Sequence, residues 1–133
     1  MAVRSKGHLA LLCVVREKFP RYEALGYICE EISLWELIVL ARKNEGNNYL
    51  EYRKGFLSRY HYDIAIPKAF LVFEFDGEFH YKPNNMEGEN AIVSMNTRVM
   101  LDRFKDSIAR EAGYRVYRFR NINKIKQELG ELI

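Results

Sequence analysis

The chain has 133 residues and a net charge of only +3, with 48% hydrophobic and 29% charged residues. These values predict a single folded domain over residues 1–133 and exclude a disordered chain or an indiscriminate polycation. No apolar run is long enough to span a bilayer, and residues 9–15 are too short and lack a following small-residue cleavage site. We therefore expect a cytoplasmic protein that does not interact with a membrane.

The cysteine content argues against a zinc or redox motif. Cys13 and Cys29 are the only cysteines, and neither belongs to a CxxC pair. Both lie in apolar surroundings, which predicts buried thiols.

The first third of the chain predicts two helices. The first is capped by Ser5, runs to Phe19 and stops at Pro20. A connection over residues 20–31, with one short strand, leads to a second helix over residues 33–43.

Strands and helices follow in the rest of the chain. Residues 82–96 are the one long polar stretch, which is either a disordered loop or a functional loop that orders on a ligand, and we expect substrate specificity to depend on it. Helices around a mixed sheet make the fold α/β or α+β. The expected elements are a strand at 49–56, a hairpin of strands 60–66 and 70–76, a helix at 97–112, a strand at 114–120 and a helix at 121–132. The apolar stripe of the long helix is expected at Leu101, Phe104, Ile108 and Ala112.

Carboxylates interrupt the hydrophobic hairpin. If residues 68–69 form a two-residue loop, Asp63 lies directly opposite Glu74, with Asp76 one pleat further on. Strict alternation puts Asp63 on one face of its strand and its even-numbered neighbours on the other. Opposed like charges are destabilising, so we expect a divalent cation bound by oxygen ligands between the two acids.

Glu36 permits two interpretations. Ser33 and Glu36 have the spacing of a helix capping box, and Ile32 with Leu37 fits the hydrophobic staple around it. Glu36 is also a carboxylate that could serve catalysis, and the local sequence does not separate the two roles.

Basic residues are concentrated in the last third of the chain, which is the footprint expected for nucleic-acid binding. The alternative is a solvated face diluted by Asp102, Asp106 and Glu111. The basic residues are Arg98, Arg103, Lys105, Arg110, Arg115, Arg118, Arg120, Lys124 and Lys126.

Several short motifs occur in a fixed order along the chain. They are Asp63, then Glu74-x-Asp76-Gly77-x-x-His80, then Asp102-x-x-Lys105-Asp106, and Gly-Tyr-Arg-Val-x-Arg-Phe over 113–119. This order resembles a branch of the PD-(D/E)XK nuclease superfamily that includes the very-short-patch-repair mismatch endonucleases and the phage-borne EDxHD homing endonucleases. The Ser33-x-x-Glu36 string also matches this branch. The superfamily's E-x-K lysine is replaced by Asp76, and the zinc-site cysteines of the mismatch-repair enzymes are missing.

The resemblance implies a restriction-endonuclease-like core over residues 33–120. It implies a Mg²⁺-dependent DNA endonuclease, with Mn²⁺ as a substitute, that nicks or cleaves DNA in repair, recombination or homing in a bacterial or phage-infected cell. A homodimer would make double-strand cleavage easier. The alternative is a nuclease-like fold without cleavage, which binds DNA or a protein.

The resemblance also assigns roles to individual residues. The catalytic candidates are Glu36, Asp63, Glu74, Asp76 and His80, and the metal ligands among them are Asp63, Glu74 and Asp76. His80 would transfer a proton during hydrolysis; the alternatives are that His80 is a structural loop histidine and that Asp76 orients His80 instead of binding metal. The candidates for contacts with the DNA backbone are Arg98, Arg103, Lys105 and Arg118. Asp102 and Asp106 would support these groups, or form salt bridges with Arg98 and Arg110 on their own helix, which we favour for Asp106.

Overall fold

The structure, a computed structural model, describes residues 5–45, 54–77 and 89–132. Its four strands form one mixed sheet in sequence order, antiparallel at the first two pairings and parallel at the third. The strands are β1 (Cys29–Ser33), β2 (His61–Ile66), β3 (Leu71–Phe75) and β4 (Arg115–Phe119).

Helices surround this sheet, which confirms the mixed α and β class. They are α1 (Lys6–Lys18), α2 (Pro20–Ala24), α3 (Leu34–Glu45), α4 (Lys54–Leu57), α5 (Glu89–Glu111) and α6 (Ile125–Leu132). Single 3₁₀ turns occur at Pro67–Ala69 and Ile122–Lys124. Within the described ranges, no helix combines the length and apolarity needed to cross a membrane.

The core lies on both faces of the sheet. Val72 packs in a cluster with Leu37 of α3 and Ile108 of α5. Its neighbour Phe73 belongs to a second cluster with Leu11 of α1 and residues of α6. Because successive strand residues point to opposite faces, the sheet separates two layers of helices.

Helix α1 forms as the sequence predicted. Ser5 caps it by accepting the backbone N–H of His8 at 3.0 Å. The helix ends at Lys18, where the N–H of Phe19 donates to Val15, and Pro20 begins α2. The expected burial of Cys13 is wrong, because its side chain is exposed: the buried face of α1 comprises other positions of the helix.

Two expectations for the middle of the chain need correction. Residues 49–53 of the expected strand lie outside the described residues. Residues 54–56 belong to helix α4, which begins at Lys54, so the expectation of a strand is wrong for these three residues. Helix α5 begins at Glu89 rather than at residue 97, so the second half of the expected loop is helical. Residues 89–96 contain neither proline nor glycine, so nothing in their sequence interrupts the helix.

The hairpin has the expected register but a different turn. Ala65 pairs with Val72, as predicted. The connection is a 3₁₀ turn over Pro67–Ala69 that ends at Phe70 with a φ of 56°, not a two-residue loop. Proline presets φ for the first position of such a turn, which favours this longer connection.

The expected apolar stripe of α5 is only partly buried. Ile108 is in the core, but Leu101 and Phe104 are 44% and 42% exposed. The buried positions beside them are polar, at Lys105 and Asp106. Apolar periodicity misplaced the inner face of this part of α5 because polar contacts with the sheet hold it.

Candidate active site

Strands β2 and β3 separate at Asp63 and Glu74. Their regular pairing ends at Ile64 and Phe73. Beyond that point the N–H of Asp63 donates to Oε2 of Glu74 at 2.8 Å. In turn, the N–H of Phe75 donates to Oδ2 of Asp63 at 2.8 Å. The two carboxylates therefore lie beside each other, each bound by a backbone N–H of the opposite strand.

The alternation of side chains along β2 breaks at Asp63. Tyr62 packs in the same cluster as Ala65, whereas Ile64 packs on the other face of the sheet. The expectation that all even-numbered residues share one face is therefore wrong, because Tyr60 and Tyr62 pack on the face opposite Ile64 and Ile66. In β1, Glu31 occupies the register position opposite Asp63 and has a φ of 51°. Both strands thus leave the regular pleat at this point, as strands do at bulges beside functional sites.

Helix α5 brings a lysine to the pair of acids. Lys105 is 7% exposed, and its Nζ donates to the backbone carbonyl of His61 at 2.6 Å. The same Nζ lies 3.9 Å from Oε1 of Glu74 and 4.1 Å from the ring centroid of Tyr62. The sequence suggested a DNA contact for Lys105, but the structure places its amine inside the fold beside Glu74.

The electrostatics of the pair are dominated by burial. Burial, opposed by Lys105 and reinforced by Asp63, raises the pKa of Glu74 to about 8. Removal from water disfavours the charged carboxylate, and the neighbouring amine does not fully compensate. The pair would therefore be stabilised by additional positive charge.

A network of ion pairs lies on the same side of the sheet. Arg118 of β4 donates to both oxygens of Asp106, from Nε at 2.7 Å and from Nη2 at 2.8 Å. Its Nη1 donates to Oδ1 of Asp76 at 2.7 Å, and Asp102 lies 3.7 Å from Nη2. The hydroxyl of Tyr62 donates to Asp106 at 2.9 Å. The salt bridge expected of Asp106 is present, but its partner is on β4 rather than on its own helix.

This network gives two sequence candidates internal partners. The side chain of Asp76 is only 2% exposed and is paired with Arg118. The backbone N–H of Asp76 also donates to Phe119 of β4 at 2.9 Å. Asp76 and Arg118 thus join the ends of β3 and β4, and the metal and DNA roles suggested for them are not supported by these contacts.

Glu36 lies at the start of α3, where the capping interpretation is supported. Ser33 accepts the N–H of Glu36 at 3.1 Å, and Ile32 and Leu37 are buried in one cluster. The Glu36 side chain is exposed. Among the described residues, the potential metal ligands grouped around Asp63 do not include it.

The remaining candidates are Arg98, Arg103 and His80. Arg103 is exposed on α5 and Arg98 is partly buried. His80 lies outside the described residues, so its proton-transfer role stays a prediction.

The structure adds three residues that the sequence analysis did not identify. His8 of α1 is buried, and its Nε2 lies 2.9 Å from Oε1 of Glu30. Its Nδ1 lies 3.4 Å from Oδ1 of Asp63 and 3.7 Å from Oε1 of Glu31. Ligand atoms of His8, Glu31 and Asp63 all lie within 4.8 Å of one another.

Close packing of α1 on the sheet brings His8 to this position. A Cβ on Gly7 would lie 2.0 Å from the ring of Phe75, so glycine is needed for the observed approach. Two adjacent acids beside Ile32, in a segment expected to contain a strand, were the sequence signal for Glu30 and Glu31. His8 gave no such signal, because its partners are distant in sequence.

Comparisons of the chain with protein-family models, with curated proteins and with solved structures found no match. The site itself consists of two strand acids and a helix lysine, with a histidine beyond Asp63.

Proposed function

We propose that the protein is a metal-dependent DNA endonuclease, built on a restriction-endonuclease-like core, that hydrolyses phosphodiester bonds. The observation that carries this proposal is the meeting of Asp63, Glu74 and Lys105 where β2 and β3 separate. The motif order suggests Asp63, Glu74, Asp76 and His80, with Asp76 in place of the superfamily's E-x-K lysine. Lys105 of α5 would supply the amine that Asp76 lacks.

The acids present suit a divalent cation. Asp63 and Glu74 would hold it, since Mg²⁺ takes one or two carboxylates together with waters and a substrate phosphate. Burial raises the pKa of Glu74, and a cation bound beside the carboxylate would offset this effect by favouring its charged form. A bound Mg²⁺ would polarise the scissile phosphate and lower the pKa of a bound water.

Lys105 would stabilise charge that develops on the phosphate during hydrolysis. Its amine is held by the carbonyl of His61 and by the ring of Tyr62. Asp106 in turn holds the hydroxyl of Tyr62. A positive charge fixed in advance in a partly buried site is worth more than one that must reorganise during the reaction.

Charge at the surface supports DNA as the substrate. Backbone contacts from arginine and lysine position DNA without reading its sequence. A homodimer would bring two sites to the two strands. The exposed basic residues in the last third of the chain are Arg103, Arg110, Arg115, Arg120, Lys124 and Lys126.

The test is cleavage of plasmid, nicked, mismatched and branched DNA in Mg²⁺ or Mn²⁺. We expect cleavage by the parent protein, abolished by EDTA. Glu74→Gln and Lys105→Met should each lower the rate by about 10²–10³-fold, the usual cost of losing one transition-state stabiliser. Glu111→Gln, at an exposed acid of α5, is the matched control and should leave the rate unchanged.

If the parent protein binds these DNAs but cuts none of them in either metal, the chain is a DNA-binding module with a nuclease-like arrangement. If Glu74→Gln cuts as fast as the parent, the acid pair is not the reaction centre.

A further inference from the structure

We propose that His8, Glu31 and Asp63 form a binding site for a divalent transition-metal ion, on the α1 side of Asp63. The three residues come from α1, β1 and β2, and their ligand atoms lie within 4.8 Å of one another. Neither the motif order nor the proposed reaction at Glu74 and Lys105 uses His8 or Glu31. The proposal of this metal site therefore does not depend on the proposal that the protein cleaves DNA.

The buried imidazole of His8 is oriented toward two carboxylates on its Nδ1 side. His8 is only 3% exposed, and its Nε2 lies at hydrogen-bond distance, 2.9 Å, from Glu30. This contact assigns a hydrogen to Nε2, because an ionised carboxylate only accepts. Nδ1 faces carboxylate oxygens of Asp63 and Glu31. A positive species must lie between these electron-rich atoms: either a second ring hydrogen on Nδ1 or a metal ion in its place.

The separations fit ligands that share one ion. Metal bonds to histidine nitrogen and carboxylate oxygen are about 2.0–2.2 Å long, so two ligands at a tetrahedral angle lie about 3.4 Å apart. The Nδ1 of His8 is 3.4 Å from Oδ1 of Asp63 and 3.7 Å from Oε1 of Glu31. These distances are long for hydrogen bonds, and small side-chain adjustments would bring all three atoms onto one ion.

The ligand set indicates the type of ion. One imidazole with two carboxylates suits Mn²⁺, Fe²⁺ or Zn²⁺ better than Mg²⁺, which prefers oxygen ligands and retains its waters. Glu30 has the place of the carboxylate that commonly receives the other ring N–H of a metal-bound histidine and thereby fixes the ring.

The surrounding structure holds the ligands while leaving an entry path. Oδ2 of Asp63 accepts the N–H of Phe75, so Oδ1 is directed to His8. Ser5 and the close packing at Gly7 fix the first turn of α1. The side chain of Glu31 is 57% exposed, which gives an ion access from solvent.

The test uses Mn²⁺ with the full chain and pulsed electron paramagnetic resonance, which detects an imidazole nitrogen bound to the ion. We expect nitrogen modulation in the parent and its loss in His8→Gln. Glu31→Gln should weaken Mn²⁺ binding by at least about 10-fold, as changes around metal sites do. Glu74→Gln is the control: it should retain the nitrogen modulation while losing DNA cleavage.

Equal Mn²⁺ affinity in the parent and Glu31→Gln, or no nitrogen modulation in the parent, overturns the inference. Because Glu31 is exposed, its variant keeps the test valid even if His8→Gln fails to fold. A parent that shows nitrogen modulation but cuts no DNA refutes only the nuclease proposal. A parent that cuts DNA without nitrogen modulation refutes only this site.

Discussion

Glu74 is the residue whose environment has the clearest consequence for stability. Its carboxyl is largely buried, shares its surroundings with Asp63, and has a pKa raised from 4.5 to about 8 by burial. At a pH between these values the folded chain holds a proton that the unfolded chain has released. Folding is then favoured by low pH, and this contribution is lost as the pH rises through 8.

We therefore predict that the metal-free protein loses stability between pH 4.5 and pH 8. The loss attributable to Glu74 is on the order of 4 kcal/mol, from the size of its pKa shift. Glu74→Gln, which cannot ionise, should remove most of this slope. Urea denaturation at several pH values in EDTA measures both proteins. Parallel pH profiles for the parent and the variant would contradict the prediction.

Individual residues differ in how far the sequence revealed their roles. The proximity of Asp63 to Glu74 was predictable because it depends only on the register of a local hairpin. The position of Lys105 was not, since a lysine among other basic residues is most simply read as a surface group. Its burial depends on contacts with β2 and β3 that no helical periodicity encodes.

At the level of elements, the approach of α1 to the sheet determines the geometry around His8. The ring of Phe75 occupies the space beside Gly7, where a Cβ would lie 2.0 Å from it. Any larger residue there must move either the helix or the ring. The first turn of α1 thus couples packing on β3 to the position of the imidazole.

We predict that Gly7→Ala destabilises the protein by about 1–3 kcal/mol, the usual cost of overpacking, and weakens Mn²⁺ binding. The matched control is Gly130→Ala in α6, where an added Cβ would meet nothing within 4 Å. That change should stabilise the protein by about 0.4–1 kcal/mol, because alanine is the better helix former. Urea denaturation and Mn²⁺ titration check both effects. Equal results for the two variants would show that close packing at Gly7 is unimportant.

Elements with strong local signals were predictable, and those without them were not. Ser5 and Pro20 bounded α1 correctly, and Gly113, with a φ of 104°, ends the turn after α5. The early start of α5 was missed because residues 82–96 were treated as one polar stretch, although half of residues 89–96 are hydrophobic and none is a helix breaker. Composition was thus a poorer guide than the positions of proline and glycine.

On the scale of the whole molecule, the mixed sheet and its helices followed from the order of the elements, but the meeting of distant segments did not. His8 and Asp63 are 55 residues apart, and they meet because α1 covers one face of the sheet. The break in side-chain alternation at Asp63 could not be predicted from the sequence either. A one-residue irregularity reverses the face that the later side chains occupy, and strict alternation does not allow for it. Long-range packing therefore completes a site that the hairpin only partly indicates.

At the scale of the whole molecule, two neighbouring basic residues of α5 differ in their exposure to solvent and therefore in the contacts they can make with DNA. Arg103 is exposed, whereas Lys105 is buried beside Glu74. Contacts with DNA phosphates release bound counterions, so each one adds about 0.9 to the slope of log affinity against log salt concentration. An exposed arginine can make such a contact, but a lysine held inside the fold cannot make one without giving up its internal partners.

We predict that Arg103→Ala lowers the magnitude of this slope by about 1 and weakens DNA binding without changing the maximal cleavage rate. Lys105→Met should leave the slope nearly unchanged and reduce the cleavage rate instead, because its charge acts at Glu74. Binding to a short duplex from 50 to 200 mM salt, together with single-turnover cleavage, measures both quantities. If Lys105→Met alters the slope as much as Arg103→Ala does, its amine contacts DNA at the surface, and the internal role assigned to it is wrong.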